Sequence, residues 1–300
     1  MIYDCFTFFN ELDLLELRLQ TLNNVVDKFV LVEASKTHSN KDKELYYQNN
    51  QARFHQYADK IIHIIVNEFP EYINSWTFEK HQRNCIMQGL NNCKPEDIIL
   101  ISDVDEIPNP ITIQKFKDKQ GIKTLKQRMF YYYLNNIDLH SPLWADTPTK
   151  MLSFKELNEL GNSPQKVRFY NGKIIHNGGW HFSYLGGTSK ISEKIKAFAH
   201  QEYNRKEYND IKIINERVKS GKDIFLRSRG KRYASIKIDK SFPLYLQKNQ
   251  EHFKEYISPG NITLVDYIIL LKNIIIQNIK IYCKYALKKY YHPTKLKDYE

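Results

Sequence analysis

The sequence lacks the short motifs that identify several common enzyme classes. It has no P-loop, no Gly-x-Gly-x-x-Gly after the first predicted strand and no Gly-x-Ser-x-Gly turn. These absences argue against a P-loop kinase, a dinucleotide-dependent dehydrogenase and a common type of hydrolase. Glycine itself is scarce, with 11 in 300 residues. Any active site must therefore be sought among other patterns.

Cysteine is also scarce and shows no pairing pattern. The four cysteines are Cys5, Cys85, Cys93 and Cys283, and none forms a Cys-x-x-Cys pair, so we predict reduced and mostly buried thiols. The N-terminus has no basic region followed by a long apolar run, and no stretch reaches ~18 uncharged apolar residues. We therefore expect no signal peptide and no transmembrane helix. The predicted location is the cytoplasm or the cytoplasmic face of a membrane.

Positive charge is in excess. The net charge is +11, and residues 260–300 contain seven lysines against three acids. A basic protein favours acidic partners such as nucleic acid, anionic lipid or phosphate-bearing substrates. The sequence has no arginine-rich arm, zinc-finger spacing or heptads with a basic region, so we predict no nucleic-acid partner.

Residues 263–291 predict one long amphipathic helix. Apolar residues recur on one face of it, and several lysines flank them: Ile268, Leu271, Ile275, Ile279, Tyr282 and Ala286. Such a helix can lie on a membrane surface, or it can pack on its own domain or in an oligomer. We divide the chain into a domain of residues 1–259 and a basic amphipathic helical tail of residues 260–300. Membrane-surface contact through this tail is one expectation.

Strands alternate with helices through the first hundred residues. Apolar runs at residues 3–6, 29–32, 61–66 and 98–101 predict four strands, and residues 48–59 and 75–90 predict two of the intervening helices. This alternation predicts an α/β fold with a Rossmann-like, mostly parallel sheet and flanking helices. In such sheets, ligands bind beyond the carboxyl ends of the strands.

The pattern changes after residue 120. Residues 124–134 and 180–184 predict aromatic-rich strands, and residues 189–203 predict a helix. Residues 166–170 and 173–176 predict a hairpin about Asn171-Gly172, a favoured two-residue turn. The sequence therefore predicts a mixed second half, followed by the C-terminal helical extension.

Three acids follow the fourth predicted strand, and their mutual repulsion calls for a neutralising partner. In an extended stretch residues i and i+2 point the same way, so Asp103 and Asp105 can address one ion. Carboxylate oxygens suit Mn²⁺ or Mg²⁺, which often bridge to substrate phosphates. We predict Asp103 and Asp105 as metal ligands, Asp103 also as a donor-binding residue, and Glu106 as a candidate general base. The alternative is that these acids cap a helix or lie in a loop.

A second motif runs from Gly178 to Tyr184. Two glycines let the backbone approach a ligand closely, and Trp180 offers an apolar face on which a sugar ring can stack. His181 could donate to a phosphate, bind a metal or carry a proton, and we name it as a catalytic candidate. The alternative is an ordinary core histidine beside aromatic residues.

Two further groups of polar residues are candidates. Glu33 and His38 follow the second predicted strand, where a base or ribose would bind. Arg83 on the third predicted helix could pair with a phosphate or orient an acidic residue. His200 is a candidate metal ligand, and Glu202 is a candidate general base if the preceding helix ends close to them. The alternative for Arg83 is an ordinary solvated charge on a helix.

Several of these segments, taken together and in order, resemble glycosyltransferase family 17. The resemblance extends from residue 3 to about residue 257 and rests on DCFTFFNELDLLELRL, FVLVEASKTH, ISDVDEIP, GGWHFSYLGG, AFAHQEYN and FPLYLQKNQEHF. It implies a GT-A-like fold, a UDP-sugar donor such as UDP-GlcNAc, a divalent metal and inversion at the anomeric carbon. Asp103 and Asp105 match the family's acidic motif, and Trp180 and His181 match its Gly-Trp-His element.

The sequence thus predicts a metal-dependent inverting glycosyltransferase. It would move a sugar, GlcNAc first among candidates, from a UDP-sugar to a hydroxyl of a glycan, glycolipid or glycoprotein. One alternative is an inactive module of the same fold that binds a nucleotide-sugar or glycan. A metal-dependent phosphoesterase is a third hypothesis, weakened by the small number of histidines at strand tips.

Overall fold

The computed structural model describes residues 1–144, 148–228 and 230–291. Eleven strands in these residues form one sheet. They are β1 (Ile2–Phe8), β2 (Lys28–Ala34), β3 (Ile61–Val66), β4 (Ile98–Asp103), β5 (Glu106–Pro108), β6 (Lys123–Tyr131), β7 (Asn136–Asp138), β8 (Leu143–Trp144), β9 (Lys150–Ser153), β10 (Lys173–Ser183) and β11 (Tyr233–Ser235).

Helices cover the sheet and extend the chain beyond it. The α-helices are α1 (Leu12–Leu22), α2 (Tyr46–Asn49), α3 (Ser75–Asn84), α4 (Pro110–Phe116), α5 (Phe154–Glu159), α6 (Pro164–Phe169), α7 (Gly187–Ala197), α8 (Lys206–Asn209), α9 (Ile211–Lys219), α10 (Leu244–Lys248) and α11 (Leu264–Tyr291). Short 3-10 helices occupy Gln51–Tyr57, Cys85–Leu90, Gln201–Tyr203 and Lys254–Tyr256.

The first half of the chain forms the parallel part of the sheet, in the order β3-β2-β1-β4. In the parallel register, Thr7 of β1 lies beside Val32 of β2 and Asp103 of β4. The crossovers run through helices, because parallel neighbours cannot be joined by a tight turn. The carboxyl ends of β1, β2 and β4 therefore meet at one edge, as the alternation of strands and helices predicts.

The second half makes the sheet mixed. β9 pairs antiparallel with β4 and with β6, while β10 runs parallel to β6 and antiparallel to β5. The expected α/β class with a mixed second half is confirmed. The parallel character, however, belongs to the first half and to the β6–β10 pair, so the described sheet as a whole is mixed.

Four local predictions differ from the structure. The helix predicted at residues 189–203 ends at Ala197, and a short 3-10 helix follows at Gln201–Tyr203. Residues 48–59 form a short α2 and a 3-10 helix, and the helix predicted at 75–90 becomes 3-10 after Asn84. The hairpin predicted about Asn171-Gly172 is wrong, because residues 164–169 form α6. Ser163 caps that helix by accepting from the backbone N–H of Lys166, and Pro164 occupies its first turn. This pattern of cap and proline outweighs the turn signal.

α11 packs along the second half of the domain. Leu270 is buried in the cluster that contains Phe130 and Trp180, and Asp266 is buried one turn earlier. Asn273 donates from its side chain to the carbonyl oxygen of Leu139, 2.8 Å away. The predicted division at residues 259 and 260 stays a prediction, although this part of the tail lies against the domain. Among the described residues, no helix is both long and apolar enough to cross a membrane.

Candidate functional site

One buried arginine holds the backbone of the turn that follows β4. We refer to this turn, residues 103–106, as the acidic turn. Arg18 of α1 is fully buried and forms an ion pair with Asp4, with 2.7 Å between Nη2 and Oδ1. Its Nη1 donates to the carbonyl oxygens of Asp103, Val104 and Glu106, at 2.9 to 3.1 Å. The shape of the turn is therefore fixed through its backbone, which leaves its side chains available for other partners.

Asp103 is held between two arginines at the end of β4. Its Oδ1 accepts from Arg83 at 2.8 Å and from the Thr7 hydroxyl at 3.0 Å, and its Oδ2 accepts from Arg168 at 3.1 Å. Burial raises the pKa of this carboxyl, but the two guanidinium groups outweigh burial and hold the pKa well below its usual range. Protein cations thus supply the neutralisation that the crowded acids require.

Glu106 has little capacity left for further partners. Both its oxygens accept from the Arg168 guanidinium. In addition, Oε1 accepts from the indole N–H of Trp144 at 3.0 Å, and Oε2 faces the backbone N–H of Asp103 at 3.3 Å. Its side chain is buried. A carboxylate engaged in this way positions its neighbours, and it is poorly placed to take a proton from a substrate.

Strand pairing joins the two motifs that the sequence singles out. β5 and β10 pair antiparallel, so that His181 lies opposite Glu106 and Trp180 lies opposite Ile107. The glycine pair before Trp180 has a structural cause that differs from the expected approach to a ligand. A Cβ on Gly178 would lie 2.4 Å from the backbone of Leu125, and one on Gly179 would lie 2.1 Å from the carbonyl oxygen of Ile107. The glycines let β10 pass close to its neighbouring strands.

Asp105 and His181 are buried at this junction, and the partly exposed Lys194 lies beside them. The Lys194 ammonium lies 2.9 Å from Asp105 Oδ2 and 3.2 Å from Glu11, and His181 Nε2 lies 3.5 Å from Asp105 Oδ1. Burial raises the pKa of Asp105, but Lys194 and His181 outweigh it and hold that pKa well below its usual range. The other ring nitrogen of His181 is buried without a hydrogen-bond partner among the described residues.

Two of these residues are suitable donors for a divalent cation. Asp105 Oδ1 and His181 Nε2 are close enough to share one ion after a small adjustment, because ligands at ~2.1 Å on adjacent octahedral positions lie ~3 Å apart. Within the described ranges, no three histidine, cysteine or acidic side chains form a metal-binding group. Mg²⁺ often relies on one or two carboxylates together with substrate phosphates and water, so the pair fits such a cation. The oxygens of Asp103 are already engaged by Arg83, Arg168 and Thr7.

The structure places Trp180 in the core and leaves a different tryptophan exposed. Trp180 is 6% exposed, and its indole N–H donates to the carbonyl oxygen of Ser241 at 2.9 Å. It therefore presents no free face to a sugar ring. Trp76, at the start of α3, is 43% exposed and packs edge-on against His200, with 4.6 Å between ring centroids. An exposed aromatic ring thus lies beside His200.

Glu33 and His38 follow β2 as expected, but their roles differ. The Glu33 carboxylate is fully buried, accepts from the backbone N–H of Tyr47 at 2.9 Å and lies 3.1 Å from His63. It caps α2 and faces away from solvent. His38 bonds to the side chain of Gln82 at 2.9 Å, and Gln82 donates to the carbonyl oxygen of Val32. His38 is therefore fixed at the carboxyl edge of the sheet.

His200 and Glu202 form an exposed pair. His200 Nδ1 lies 2.6 Å from Glu202 Oε1, and both side chains are about half exposed. Burial slightly raises the pKa of Glu202, but the bond from His200 outweighs it and lowers that pKa. Neither residue contacts Asp103 or Asp105 by a hydrogen bond in the structure. The predicted grouping of His200 with the two acids as metal ligands stays a prediction.

Sequence reasoning missed three cations that contact the acidic turn: Arg18, Arg168 and Lys194. Arg18 carries a detectable signal, because it occupies a core-facing position between Leu15 and Leu22 on the leucine-rich face of α1. Arg168 lies in the segment assigned to the incorrect hairpin. Lys194 is one of three lysines in α7, and nothing local distinguishes it from the others.

Comparisons with known proteins identify the family of this chain. The glycosyltransferase family 17 model matches residues 1–264. The human β-1,4-mannosyl-glycoprotein 4-β-N-acetylglucosaminyltransferase is 29% identical over 69% of this chain and 45% of its own length, and the rat enzyme is 22% identical over 71% and 46%. The matches thus span less than half the length of these relatives.

One solved structure is also similar, the glucosyl-3-phosphoglycerate synthase of M. tuberculosis. The match covers 66% of this chain and 80% of that one, at 9% identity and a TM-score of 0.31. At this TM-score it adds nothing to the fold described above. The family model covers most of the chain, including every element that builds the acidic turn and β10. The chain belongs to glycosyltransferase family 17.

Proposed function

We propose that this chain is an inverting glycosyltransferase that moves a sugar from a UDP-sugar to a hydroxyl of a glycan. GlcNAc is the proposed sugar, since the named relatives are N-acetylglucosaminyltransferases. The observation that carries the proposal is the pairing of β5 with β10, which brings His181 to the acidic turn at the carboxyl edge of the parallel strands. A glycoprotein, glycolipid or free glycan could serve as acceptor.

The diphosphate of the donor would bind where Asp105, His181 and Lys194 meet. The Lys194 ammonium already lies in this group and can pair with phosphate oxygens. Asp105 and His181 would hold Mn²⁺ or Mg²⁺, which when bound neutralises charge on the leaving diphosphate. Arg83 and Arg168 hold Asp103 at the edge of the same site. The chain thus supplies fixed positive charge where negative charge develops on the leaving group.

The acceptor would approach from the side of the exposed pair. Its hydroxyl oxygen bonds to the anomeric carbon, the bond from that carbon to UDP breaks, and the hydroxyl proton passes to a general base. Glu202 is the proposed base, because it is exposed and His200 orients it. His181 is the second candidate, while the oxygens of Glu106 are already engaged. Trp76 offers the acceptor a ring on which to stack.

The test compares two acid substitutions of equal charge. Asp105→Asn should lower UDP release from UDP-GlcNAc with Mn²⁺ and a glycan acceptor by at least ~100-fold. Asp118→Asn, at an exposed acid after α4, should leave the rate unchanged. Full activity in Asp105→Asn contradicts the assigned site. Binding of UDP-GlcNAc without turnover by the unaltered protein would favour the alternative, an inactive module of the same fold.

A further inference from the structure

α11 exposes an apolar stripe to solvent along four turns. The side chains of the stripe are between 43% and 75% exposed and recur at helical spacing: Leu264, Ile268, Leu271, Ile275 and Ile279. We refer to these five residues as the outer face of α11. From Leu264 to Ile279 the stripe is about 22 Å long at the usual rise per residue. Scattered exposed apolar residues are ordinary, but a continuous stripe indicates a binding surface.

The opposite side of α11 is already occupied by the domain. Leu270 packs into the core, and Ile269 and Ile274 lie against the same cluster. Polar contacts also hold this side, because Lys126 donates to Asn278 at 2.6 Å and Asn273 donates to a backbone carbonyl. The orientation of the helix is therefore fixed, and the outer face cannot turn inward without breaking these contacts.

The charges of α11 favour an anionic lipid surface over a second copy of the chain as the partner of the outer face. The helix contains five lysines and a single acid, Asp266. Asp266 is buried and lies 2.6 Å from Lys231, so it is not available to a second helix. A second α11 would bring more lysines to this face, and its one acid, Asp266, is already paired with Lys231. An anionic lipid surface would pair with the lysines, because its negative surface potential attracts basic side chains.

We propose that the outer face of α11 binds the surface of an anionic lipid bilayer. The helix lies in the plane of the interface, with its isoleucine and leucine side chains among the acyl chains. Lys272 and Lys280, which are both exposed, lie at the level of the headgroups. This binding site is separate from the acidic turn, and it does not depend on the reaction that the chain catalyses.

The experiment is sedimentation of the full chain with vesicles. One set contains equal parts of phosphatidylglycerol and phosphatidylcholine, and the other contains phosphatidylcholine alone. We expect binding to the mixed vesicles, weakened by added salt, and at least ~10-fold weaker binding to phosphatidylcholine. Ile268→Ser with Ile275→Ser should weaken binding to the mixed vesicles by at least ~10-fold, because two inserted side chains are removed.

A matched pair of substitutions serves as the control. Ile211→Ser with Leu244→Ser removes two apolar side chains that are 50% and 61% exposed outside α11, and it should bind like the unaltered protein. The proposal would be overturned if the α11 variant bound the mixed vesicles as strongly as the unaltered protein does. So would a dimer in sedimentation velocity that the α11 variant abolishes, since a second copy would then be the occupant. The sedimentation experiment contains no nucleotide-sugar. Its outcome is therefore independent of whether the protein shows transferase activity.

Discussion

Asp103 and Asp105 are two residues apart, yet their carboxylates meet different partners. Asp103 is engaged by Arg83, Arg168 and Thr7, whereas Asp105 faces Lys194 and His181. The distinction matters for chemistry. A lysine ammonium on a flexible stem can move from a carboxylate to a phosphate more readily than two guanidinium groups that are both fixed by other bonds. At the residue scale, Asp105 is therefore the acid whose partners can change on donor binding.

Lys194→Met should lower the rate of UDP release by about 100-fold and raise KM for UDP-GlcNAc. The reason is the loss of a positive charge beside Asp105, where the leaving diphosphate would bind. The matched control is Lys196→Met on the same helix, since Lys196 is exposed. Initial rates over a range of donor concentrations check this. If both variants retain the unaltered rate, Lys194 does not contact the donor.

Lys150→Met should stabilise the protein at pH 7 by about 1–2 kcal/mol, measured by urea unfolding. Lys150 is buried and donates to Thr124 at 2.9 Å. Burial, and secondly the Arg168 charge, lower its pKa to about 8, although Glu106 partly opposes this. The unfolded value is about 10.4. Below pH 8 the ammonium is charged in both states, so the cost of burying it is fully present.

The same substitution should lose its advantage as the pH rises. Between about pH 8 and pH 10 the folded chain has released this proton while the unfolded chain keeps it, so the unaltered protein gains stability with pH. The difference in unfolding free energy between variant and parent should therefore shrink over that interval. Lys237→Met, at an exposed lysine, should show no such trend. A constant difference across the interval would show that Lys150 does not titrate there.

At the scale of elements, β10 connects the two motifs, and its glycines determine how closely it lies to its neighbours. Gly179 has φ +136°, and an added Cβ would collide with β5 backbone, which a side-chain rearrangement cannot relieve. The sequence showed the glycines and the acids but not their pairing, because a register between segments more than seventy residues apart depends on tertiary contacts. The close contacts of these glycines with neighbouring backbone explain them without a ligand.

Gly179→Ala should therefore lower the free energy of unfolding by about 3 kcal/mol or more. Gly121→Ala is the control, because Gly121 has φ +81° but nothing within 4 Å of an added Cβ, and it should cost about 1 kcal/mol. Urea unfolding of the two variants measures the difference. Equal losses would mean that conformational strain alone, and not contact with β5, accounts for the effect.

At the scale of the whole molecule, the sequence predicted the half of the sheet that local patterns determine. The runs of apolar residues predicted β1 to β4, and the helical face of Ile268, Leu271, Ile275 and Ile279 is present in α11. The second half was less predictable, since short strands such as β5, β7 and β8 have only two or three residues. Arg168 and Lys194, which pair with the acids, come from helices far along the chain and could not be assigned from spacing.

Nucleotide binding should stabilise the whole chain if the site is as proposed. UDP with Mn²⁺, at a hundredfold excess over Kd, should add ~2.7 kcal/mol to the free energy of unfolding and raise Tm by several degrees. Asp105→Asn should lose the part of the shift that depends on Mn²⁺. A thermal-shift series with UDP-, GDP- and CMP-sugars checks this and identifies the nucleobase of the donor. The absence of any shift across the series would count against a nucleotide-sugar donor.

Arg18 bonds to three carbonyl oxygens of the acidic turn and to none of its carboxylates. These backbone bonds hold the turn without help from the Asp105 carboxylate. Position 105 can consequently be varied, by design or by drift, without first rebuilding the backbone that supports it. Substitutions there would therefore test metal and donor binding on a constant scaffold, whereas substitutions at position 18 would mainly test folding.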